Sequence, residues 1–435
     1  MGGGLLQLVA YGAQDAYISG NPQITFWKSL YKRHTNFAME PFRINMSGEP
    51  IWGTRQSAVV NRYADLMFST YIQVELPTYD TAGSRALWNH GSTTGDKGLL
   101  GYNLVDRVEV DIGGQVIDRL YSEYMVLWSA LTFSFNKFQN LVKMLSTERY
   151  NASTFQFDPN PGCTGGNGRQ SIPNILYVPL PFFYTQNPGT ALPLIALQYH
   201  EVKINVYWKS PQEVAGNYST GISTLPNATS AALYVDYIYL DTDERRRFAQ
   251  QSHEYLIEQV QYNEDVGIST SAKRIDLTFN HPVKELIWVV QPTDYTNCKV
   301  TPSNYRAASA RTRLTPFVYD FDNPVFEQTI QINGQDRLER RYGDYFSKVQ
   351  PFQHHTGGSP GSCVYCYSFA IRPEEHQPSG TCNFSRIDTA TLVLTLDGSE
   401  FINDNSDNTW NVRMYAINYN VLRVMSGMGG LAFSN

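Results

Sequence analysis

The sequence predicts an all-β protein made of two tandem antiparallel β-sandwiches. Five sequence patterns in the first half of the 435 residues return in the same order in the second half. Within these patterns, apolar and polar residues alternate with a period of two, as in strands that bury one face. The 29 Tyr and 22 Phe, together with many Val, Ile and Thr, also favour strands over helices.

The repeated patterns define two copies of one fold. The matched pairs are Asn36–Ile44 with Glu254–Tyr262, Asp65–Pro77 with Asn280–Pro292, Val108–Tyr124 with Thr329–Tyr345, Ala196–Val206 with Arg386–Leu396, and Val235–Phe248 with Val412–Met425. The spacing between matched residues falls from 220 (Gly114 to Gly334) to 177 (Val235 to Val412), which indicates shorter late loops in the second copy. Copies of this length are whole domains, since solenoid repeats run about 20–50 residues.

The repeat sets the predicted boundaries. We expect an N-terminal arm at residues 1–30, a first sandwich at 31–240, a linker at 241–252, a second sandwich at 253–425 and a Gly-rich tail at 426–435. One stretch, Leu127–Tyr150, has partly helical spacing and is predicted to lie in a long excursion between strands. Many short strands with turn signals between them are typical of a sandwich, but periodicity alone leaves the type of sandwich open.

Two tight turns recur at equivalent places. Gly114 and Gln115 follow Ile112-Gly113, and Gly334 and Gln335 follow Ile332-Asn333. Gly-Gly and Asn-Gly supply the positive φ angles that a two-residue hairpin needs, so these positions are predicted to be structural turns. A phosphate-binding loop is excluded because no helix start of the right form follows.

The predicted arm carries an apolar stretch, with Leu5, Leu6, Leu8 and Val9 close together. Because the arm lies outside the repeat, neither sandwich requires it. Exposed apolar surface is unfavourable in water, so these residues are predicted to form an assembly arm that packs against a neighbouring subunit.

Composition excludes several functions. The formal net charge is −6 without long runs of like charge, so we expect no direct nucleic-acid binding. No apolar run reaches the length of about 18 residues that a membrane helix needs. Because no positively charged segment followed by an apolar one is found near the first residue, we do not expect secretion. The five cysteines, which are too few and irregular for a disulfide framework, fit the reducing cytosol.

Recognisable catalytic and metal-binding motifs are absent from the sequence. Cys363 and Cys366 have the spacing of half a zinc ribbon, but their segment reads as a strand and a structural thiol pair is the better interpretation. The adjacent His354 and His355 are interpreted as a solvent-exposed pair, so no catalytic residue, metal site or cofactor is predicted. A carbohydrate-binding lectin or a jelly-roll enzyme with a metal or a carboxylate pair stays open as an alternative.

Several long motifs resemble the major capsid proteins of large algal double-stranded DNA viruses of the chlorella-virus type, the phycodnaviruses. They span the chain and are Leu8–Ala38, Ala191–Lys203, Val235–Gln250, His253–Gln259, Ile332–Arg337, Tyr345–Gln353, Gln377–Asp388 and Asn418–Phe433. The differences lie in the loops near residues 80–100, 127–172, 291–325 and 397–411. A minor capsid paralogue of the same fold is the nearest alternative.

The resemblance implies a double jelly roll, with one eight-stranded antiparallel sandwich per copy and long inter-strand loops. It implies a homotrimeric, pseudo-hexagonal capsomer in an icosahedral outer shell around an internal membrane, with contacts to neighbouring capsomers and minor capsid proteins. It also implies a virion assembled in the host cytoplasm, and covalent glycans on outer loops. Asn408 is a candidate glycan site by its loop position only.

Overall fold

The computed structural model describes residues 2–27, 29, 31–76, 99–145, 150–151, 156–157, 175–211, 227–292, 323–358, 364–396 and 409–433. The chain forms two compact units, Met1–Phe37 and Ala38–Asn435. The first unit contains two short helices, Gly3–Val9 and Asp15–Ser19, and neither helix buries a residue. The second unit contains both predicted sandwiches.

The first copy of the repeat contains eleven strands among the described residues. They are β1 (Phe37–Asn45), β2 (Arg55–Val60), β3 (Leu66–Glu75), β4 (Val105–Ile112), β5 (Gln115–Tyr121), β6 (Tyr150–Asn151), β7 (Gln156–Phe157), β8 (Ile175–Pro179), β9 (Leu192–Pro193), β10 (Val202–Trp208) and β11 (Ser230–Leu240).

The second copy also contains eleven strands in the described part of the chain. They are β12 (His253–Ile268), β13 (Ala272–Asp276), β14 (Pro282–Pro292), β15 (Val325–Ile332), β16 (Gln335–Asp336), β17 (Arg341–Tyr342), β18 (Val364–Ser368), β19 (Cys382–Asn383), β20 (Ala390–Leu396), β21 (Trp410–Met425) and β22 (Met428–Leu431).

Strand order is the same in the two copies. The first sandwich has one sheet in the order β1-β11-β3-β8, with β9 added on β3, and a second in the order β2-β10-β4-β5. The second sandwich has β12-β21-β14-β18, with β19 and β22 added, and β13-β20-β15-β16, with β17 added. Each copy therefore has eight principal strands in two sheets, and the five repeated sequence patterns fall on equivalent strands. The predicted double jelly roll is confirmed.

The helices lie in the connections between strands. They are Leu100–Leu104, Ser122–Thr132, Phe135–Leu145, Phe183–Gln186, Thr242–Gln250 and Gln350–His354, with a π-helical turn at Tyr345–Val349 and 3-10 turns at Pro188–Thr190 and Phe384–Arg386. Helices Ser122–Thr132 and Phe135–Leu145 confirm the helical spacing predicted for Leu127–Tyr150.

The predicted linker is a helix fixed to the first sandwich. The side chain of Asp241 accepts a hydrogen bond from the amide of Thr242 and caps the helix Thr242–Gln250. Arg245 on this helix places its Nε 2.9 Å from Oδ1 of the buried Asp65. The connection between the sandwiches is therefore held by a cap and an ion pair.

Two sequence interpretations are wrong. The predicted Gly-rich tail contains β22, which pairs with β21 through Val424–Gly429 and Met425–Met428, so it completes a sheet. The imidazole of His355 is not solvent-exposed, because its side chain is 0% accessible and lies against Glu285. Adjacent polar residues can face different environments when the chain turns between a helix and a strand, and the sequence pattern alone did not show this.

Candidate functional site: the interface between the two sandwiches

Strand β14 is buried on both faces. Leu286, Trp288 and Val290 pack into the core of the second sandwich. Their neighbours Ile287 and Val289 point the other way and belong to the apolar cluster that fills the first sandwich. Because successive strand residues face opposite sides, one strand connects both cores. The two sandwiches therefore share a continuous apolar interface.

Helix Ser122–Thr132 supplies much of the first sandwich's side of this interface. It buries Tyr124, Leu127, Trp128 and Leu131, among other residues, and is apolar on most of its circumference. Tyr124 and Trp128 lie one helical turn apart and stack with ring centroids 6.0 Å apart. A helix that is apolar on so many sides needs cover on more than one face, and the second sandwich provides it.

Four tyrosines meet where this helix contacts the second sandwich. Tyr121 lies 4.7 Å from Tyr262 between ring centroids, and Tyr262 lies 5.2 Å from Tyr415. Tyr124 completes the group at 5.9 Å from Tyr415. Such tilted aromatic pairs contribute roughly 0.5–1.5 kcal/mol beyond their buried area.

An ion pair crosses the interface beside the tyrosines. Nε and Nη2 of Arg413 each lie 2.7 Å from a carboxylate oxygen of Glu123. The hydroxyl of Tyr415 donates a third hydrogen bond to Glu123, also at 2.7 Å. The bidentate geometry fixes the orientation of both side chains, which are mostly buried at 19% and 15% exposure.

Asp118 on β5 joins the edge of the first sandwich to β12 of the second. Its Oδ1 accepts hydrogen bonds from the amides of Val260, at 3.2 Å, and Arg119, at 2.9 Å. Burial is the main cause that raises the pKa of Asp118 to about 7. The charge of Glu258 also raises this pKa, and the two amide hydrogen bonds lower it. Asp118 therefore holds a proton in the fold at pH values where an exposed aspartate has lost it.

A β-bulge turns Lys284 into the same interface. The register between β14 and β21 shifts between Val283 and Glu285, so Lys284 is the extra residue of the bulge. Its ammonium lies 2.6 Å from Glu258, and both side chains are buried. The same ammonium lies 5.4 Å from the ring centroid of Trp128. Ion pairing and the aromatic face together offset the cost of burying this charge.

Backbone contacts add to the interface at two further places. The amide of Tyr199 donates to the carbonyl of Gly427 at 2.9 Å, beside β22. The amide of Gly357 donates to the carbonyl of Leu131 at 2.6 Å. A Cβ at Gly357 would lie 2.3 Å from the carbonyl oxygen of Ala130, so only glycine permits this approach.

The predicted turn residues occupy the ends of equivalent hairpins in the two copies. Gly113 and Gly114 have φ of 62° and 89° and connect β4 to β5, where Gln115 pairs with Ile112. Asn333 and Gly334 have φ of 50° and 77° and connect β15 to β16, where Gln335 pairs with Ile332. The two hairpins belong to different sheets. The first lies beside β22 of the second sandwich, where a Cβ built on Gly430 would be 3.3 Å from Oε1 of Gln115.

The predicted arm residues lie on helix Gly3–Val9. Leu5, Leu6, Leu8 and Val9 are 57%, 59%, 78% and 74% exposed. Further along the same unit, Phe26 and Trp27 are also largely exposed. Asn408 lies outside the described residues. In the described part of the chain, no helix has the length and apolarity needed to span a membrane.

The interface residues were not predicted from the sequence. One signal was available, because β14 reads Val-Lys-Glu-Leu-Ile-Trp-Val-Val, a nearly continuous apolar run rather than an alternating one. Such runs are typical of strands buried on both faces. Lys284 and Glu285 interrupt this run, and buried charges of this kind need partners.

Two family descriptions match the chain. "Major capsid protein N-terminus" matches residues 25–241, and "Large eukaryotic DNA virus major capsid protein" matches residues 244–430. The two matches meet at the helix Thr242–Gln250.

Relatives match over the whole chain. The major capsid protein of Phaeocystis pouchetii virus is 42% identical, and that of Paramecium bursaria Chlorella virus 1 is 41% identical, each with 100% of both chains covered. The solved VP54 structure of PBCV-1 matches with a TM-score of 0.74 and 35% identity, over 94% of this chain and 100% of VP54. A quasi-atomic model of the PBCV-1 virus capsid matches with the same values. The chain therefore belongs to the family of major capsid proteins of large eukaryotic DNA viruses.

Proposed function

We propose that three copies of this chain form a closed, pseudo-hexagonal capsomer, and that these capsomers build an icosahedral outer shell around an internal membrane. Two similar sandwiches in each of three subunits give six similar lobes. A heterologous ring of this kind closes when sandwich one of each subunit meets sandwich two of the next. The observation that carries the proposal is a difference in burial between the two copies.

Equivalent sheets are covered in one sandwich and open in the other. In the second sandwich, both faces of β14 are buried by its own core and by the first sandwich. In the first sandwich, the equivalent β3 alternates between buried residues and half-buried ones such as Tyr71. Tyr71 stacks on Tyr234 at 5.1 Å and contacts Tyr177 at 6.1 Å, so a row of tyrosines lies on the open face of this sheet.

The complementary surface is the helical segment that follows β17. In the first sandwich, the segment following the equivalent hairpin is helix Ser122–Thr132, which the second sandwich buries. In the second sandwich, the segment Tyr345–His354 leaves Phe352 84% exposed and Val349 39% exposed. If neighbouring subunits repeat the contact made within one chain, Phe352 and Val349 pack against the tyrosine row of the next subunit.

The proposal extends to the N-terminal arm. Leu5, Leu6, Leu8 and Val9 form an exposed apolar surface on helix Gly3–Val9. Water contact with these side chains is unfavourable by about 25 cal/mol per Å² of apolar area. We therefore assign the arm to contacts beneath the capsomer, with a neighbouring subunit or a minor capsid protein on the side facing the membrane.

The chain's role in this proposal is structural. We expect no catalytic activity, no cofactor and no direct contact with the genome, with assembly in the host cytoplasm. Glycans on outer loops, with Asn408 as a candidate, remain part of the proposal by loop position only.

Sedimentation velocity of the purified full chain tests the oligomer. A trimer is expected as the main species. A monomer or a dimer as the sole species across a wide concentration range would contradict the proposed capsomer.

A further inference from the structure

A cluster of three potential metal ligands lies at the interface between the sandwiches. Cys366 on β18 is paired with Ile287 of β14, and Glu285 lies two residues before Ile287 on the same strand face. His355 reaches this face from the segment after helix Gln350–His354. Its ring lies 6.3 Å from that of Trp128. The cluster therefore lies where the second sandwich packs on helix Ser122–Thr132.

The ligand atoms of the cluster are close together and shielded from water. One atom each from Glu285, His355 and Cys366 lies within 4.8 Å of the other two. The side chains of His355 and Glu285 are both 0% exposed, and Nε2 of His355 lies 2.5 Å from Oε1 of Glu285. Oε2 of Glu285 is buried and has no hydrogen-bond partner among the described residues. An unpartnered buried carboxylate oxygen is costly, and a cation would supply the missing partner.

Glu374 orients the imidazole from its other side. Its Oε1 lies 3.1 Å from Nδ1 of His355, and both of its oxygens accept hydrogen bonds from Thr356. A carboxylate at Nδ1 favours the tautomer that leaves the lone pair of Nε2 available. Metal-binding histidines commonly have a carboxylate behind the ring in this way, and the metal would take the side of Nε2 that Oε1 of Glu285 contacts here.

We propose that Glu285, His355 and Cys366 bind one divalent transition-metal ion, with Zn²⁺ as the preferred ion. Thiolate, imidazole and carboxylate together are the donor set that Zn²⁺ takes in proteins. Bonds of about 2.0–2.3 Å at tetrahedral angles place ligand atoms roughly 3–4 Å apart. Metal binding would therefore lengthen the 2.5 Å contact between His355 and Glu285 to roughly 3–4 Å.

Without metal, a proton on His355 supplies the positive charge that the buried carboxylate of Glu285 needs. Nε2 of His355 then donates its hydrogen bond to Oε1 of Glu285. Metal binding replaces the Nε2 proton of His355 and the thiol proton of Cys366, and both protons leave to solvent. The dipositive ion then balances one thiolate and one carboxylate, so the buried site carries no net charge.

Titration with Co²⁺ tests the site in the full chain after chelator treatment and dialysis. We expect one Co²⁺ per chain, a sulfur-to-cobalt charge-transfer absorption band, and loss of that band when Zn²⁺ is added. Cys366→Ser should abolish the band and weaken binding at least about tenfold. Cys382→Ser is the matched control, because Cys382 is a free cysteine of the same sandwich outside the cluster, and it should bind Co²⁺ like the wild type.

Several results would overturn the assignment. Wild-type protein that binds no stoichiometric Co²⁺ would show that the cluster is held by a proton alone. A band that survives in Cys366→Ser would show that Co²⁺ binds through a different cysteine. If Cys366→Ser fails to fold, X-ray absorption of the Zn²⁺-loaded wild type decides the question. One sulfur scatterer at about 2.3 Å with nitrogen or oxygen scatterers at about 2.0–2.1 Å is expected. A shell without sulfur would contradict the site.

Discussion

The guanidinium of Arg413 and the carboxylate of Glu123 form a two-pronged ion pair between the two sandwiches. Both nitrogen–oxygen distances are 2.7 Å, although the residues are 290 positions apart in the chain. Glu123 begins a helix of the first sandwich, and Arg413 lies on a central strand of the second. The pair helps to fix the relative orientation of the two sandwiches, which the proposed capsomer requires of every subunit.

Arg413→Gln should destabilise the chain by about 3 kcal/mol, because it leaves the mostly buried Glu123 without its counter-charge. Equilibrium urea unfolding at fixed protein concentration measures this change as a lower midpoint. Arg423→Gln is the matched control. Arg423 lies on the same strand and pairs with Glu254 at 2.8 Å, but their side chains are 51% and 58% exposed. That control should cost less than about 1 kcal/mol, and equal effects of the two variants would refute the structural role of the pair.

Gly334→Val should lower stability by about 1–3 kcal/mol, because valine is strained at the φ of 77° found there. Nothing lies within 4 Å of a Cβ built on Gly334, so the expected loss comes from backbone strain and not from a clash. Gly334→Asn is the control, since asparagine tolerates positive φ far better. Thermal unfolding of both variants measures the difference. A valine variant as stable as the asparagine variant would show that the turn imposes no such constraint.

The raised pKa of Asp118 should make the stability of the fold depend on pH. Its pKa is raised from 3.8 to about 7 in the fold, chiefly by burial, so the folded chain keeps a proton that the unfolded chain has lost between these values. Its contribution to stability is therefore complete below pH 3.8 and declines as the pH rises through about 7. The slope approaches about 1.4 kcal/mol per pH unit inside that window.

Asp118→Asn isolates this effect, because asparagine keeps an acceptor for the amides of Val260 and Arg119 without titrating. The free energies of unfolding of wild type and variant should be compared from pH 4.5 to 7.5. We expect the wild type to lose stability relative to the variant as the pH rises. Parallel curves across this range would mean that Asp118 is ionised in the fold.

Deletion of residues 1–25 should leave the sandwiches folded and weaken the trimer. The deleted residues belong to the separate unit Met1–Phe37, so the strands keep their partners. Circular dichroism should be nearly unchanged, and sedimentation should show a larger monomer fraction at equal concentration. Failure of the truncated chain to fold would mean that the arm belongs to a sandwich.

The fold could be predicted from the sequence because strand periodicity and the repeated turns are local signals. Asn333-Gly334 and Gly113-Gly114 indicated equivalent hairpins without any tertiary information. The match of Pro77 with Pro292 identified the correct strands, but it aligns Ile72 with Ile287. Ile72 faces the core of its own sandwich. Ile287 instead faces the first sandwich, and its neighbour Trp288 faces the core of the second. A shift of one residue exchanges the two faces of a strand, so the pattern located the strand but not its orientation.

The interface between the two sandwiches could not be predicted in this way, because it depends on which faces of distant strands and helices meet. Glu123 and Arg413 are ordinary charged residues in their local sequence, and only the packing of the sandwiches joins them. His355 shows the same limit, because its neighbour His354 is partly exposed while its own side chain is buried. Burial of a charged side chain depends on contacts far away in the chain.

Cross-linking between two defined surfaces tests the proposed capsomer most directly. The proposed capsomer places the tyrosine row of one subunit against the segment Tyr345–His354 of the next. Tyr177, at 39% exposure, and Phe352, at 84%, represent the two surfaces. Tyr177→Cys and Phe352→Cys are combined in one chain, and each single variant serves as a control for the native cysteines. A short flexible bismaleimide then joins thiols that lie close together.

For the double variant, a closed ring of three subunits predicts a covalent ladder of monomer, dimer and trimer that stops at three chains. Each single variant should give only the background of the native cysteines. A double variant that cross-links no more than the single variants, or a ladder that extends beyond three chains, would contradict the closed ring of alternating sandwiches.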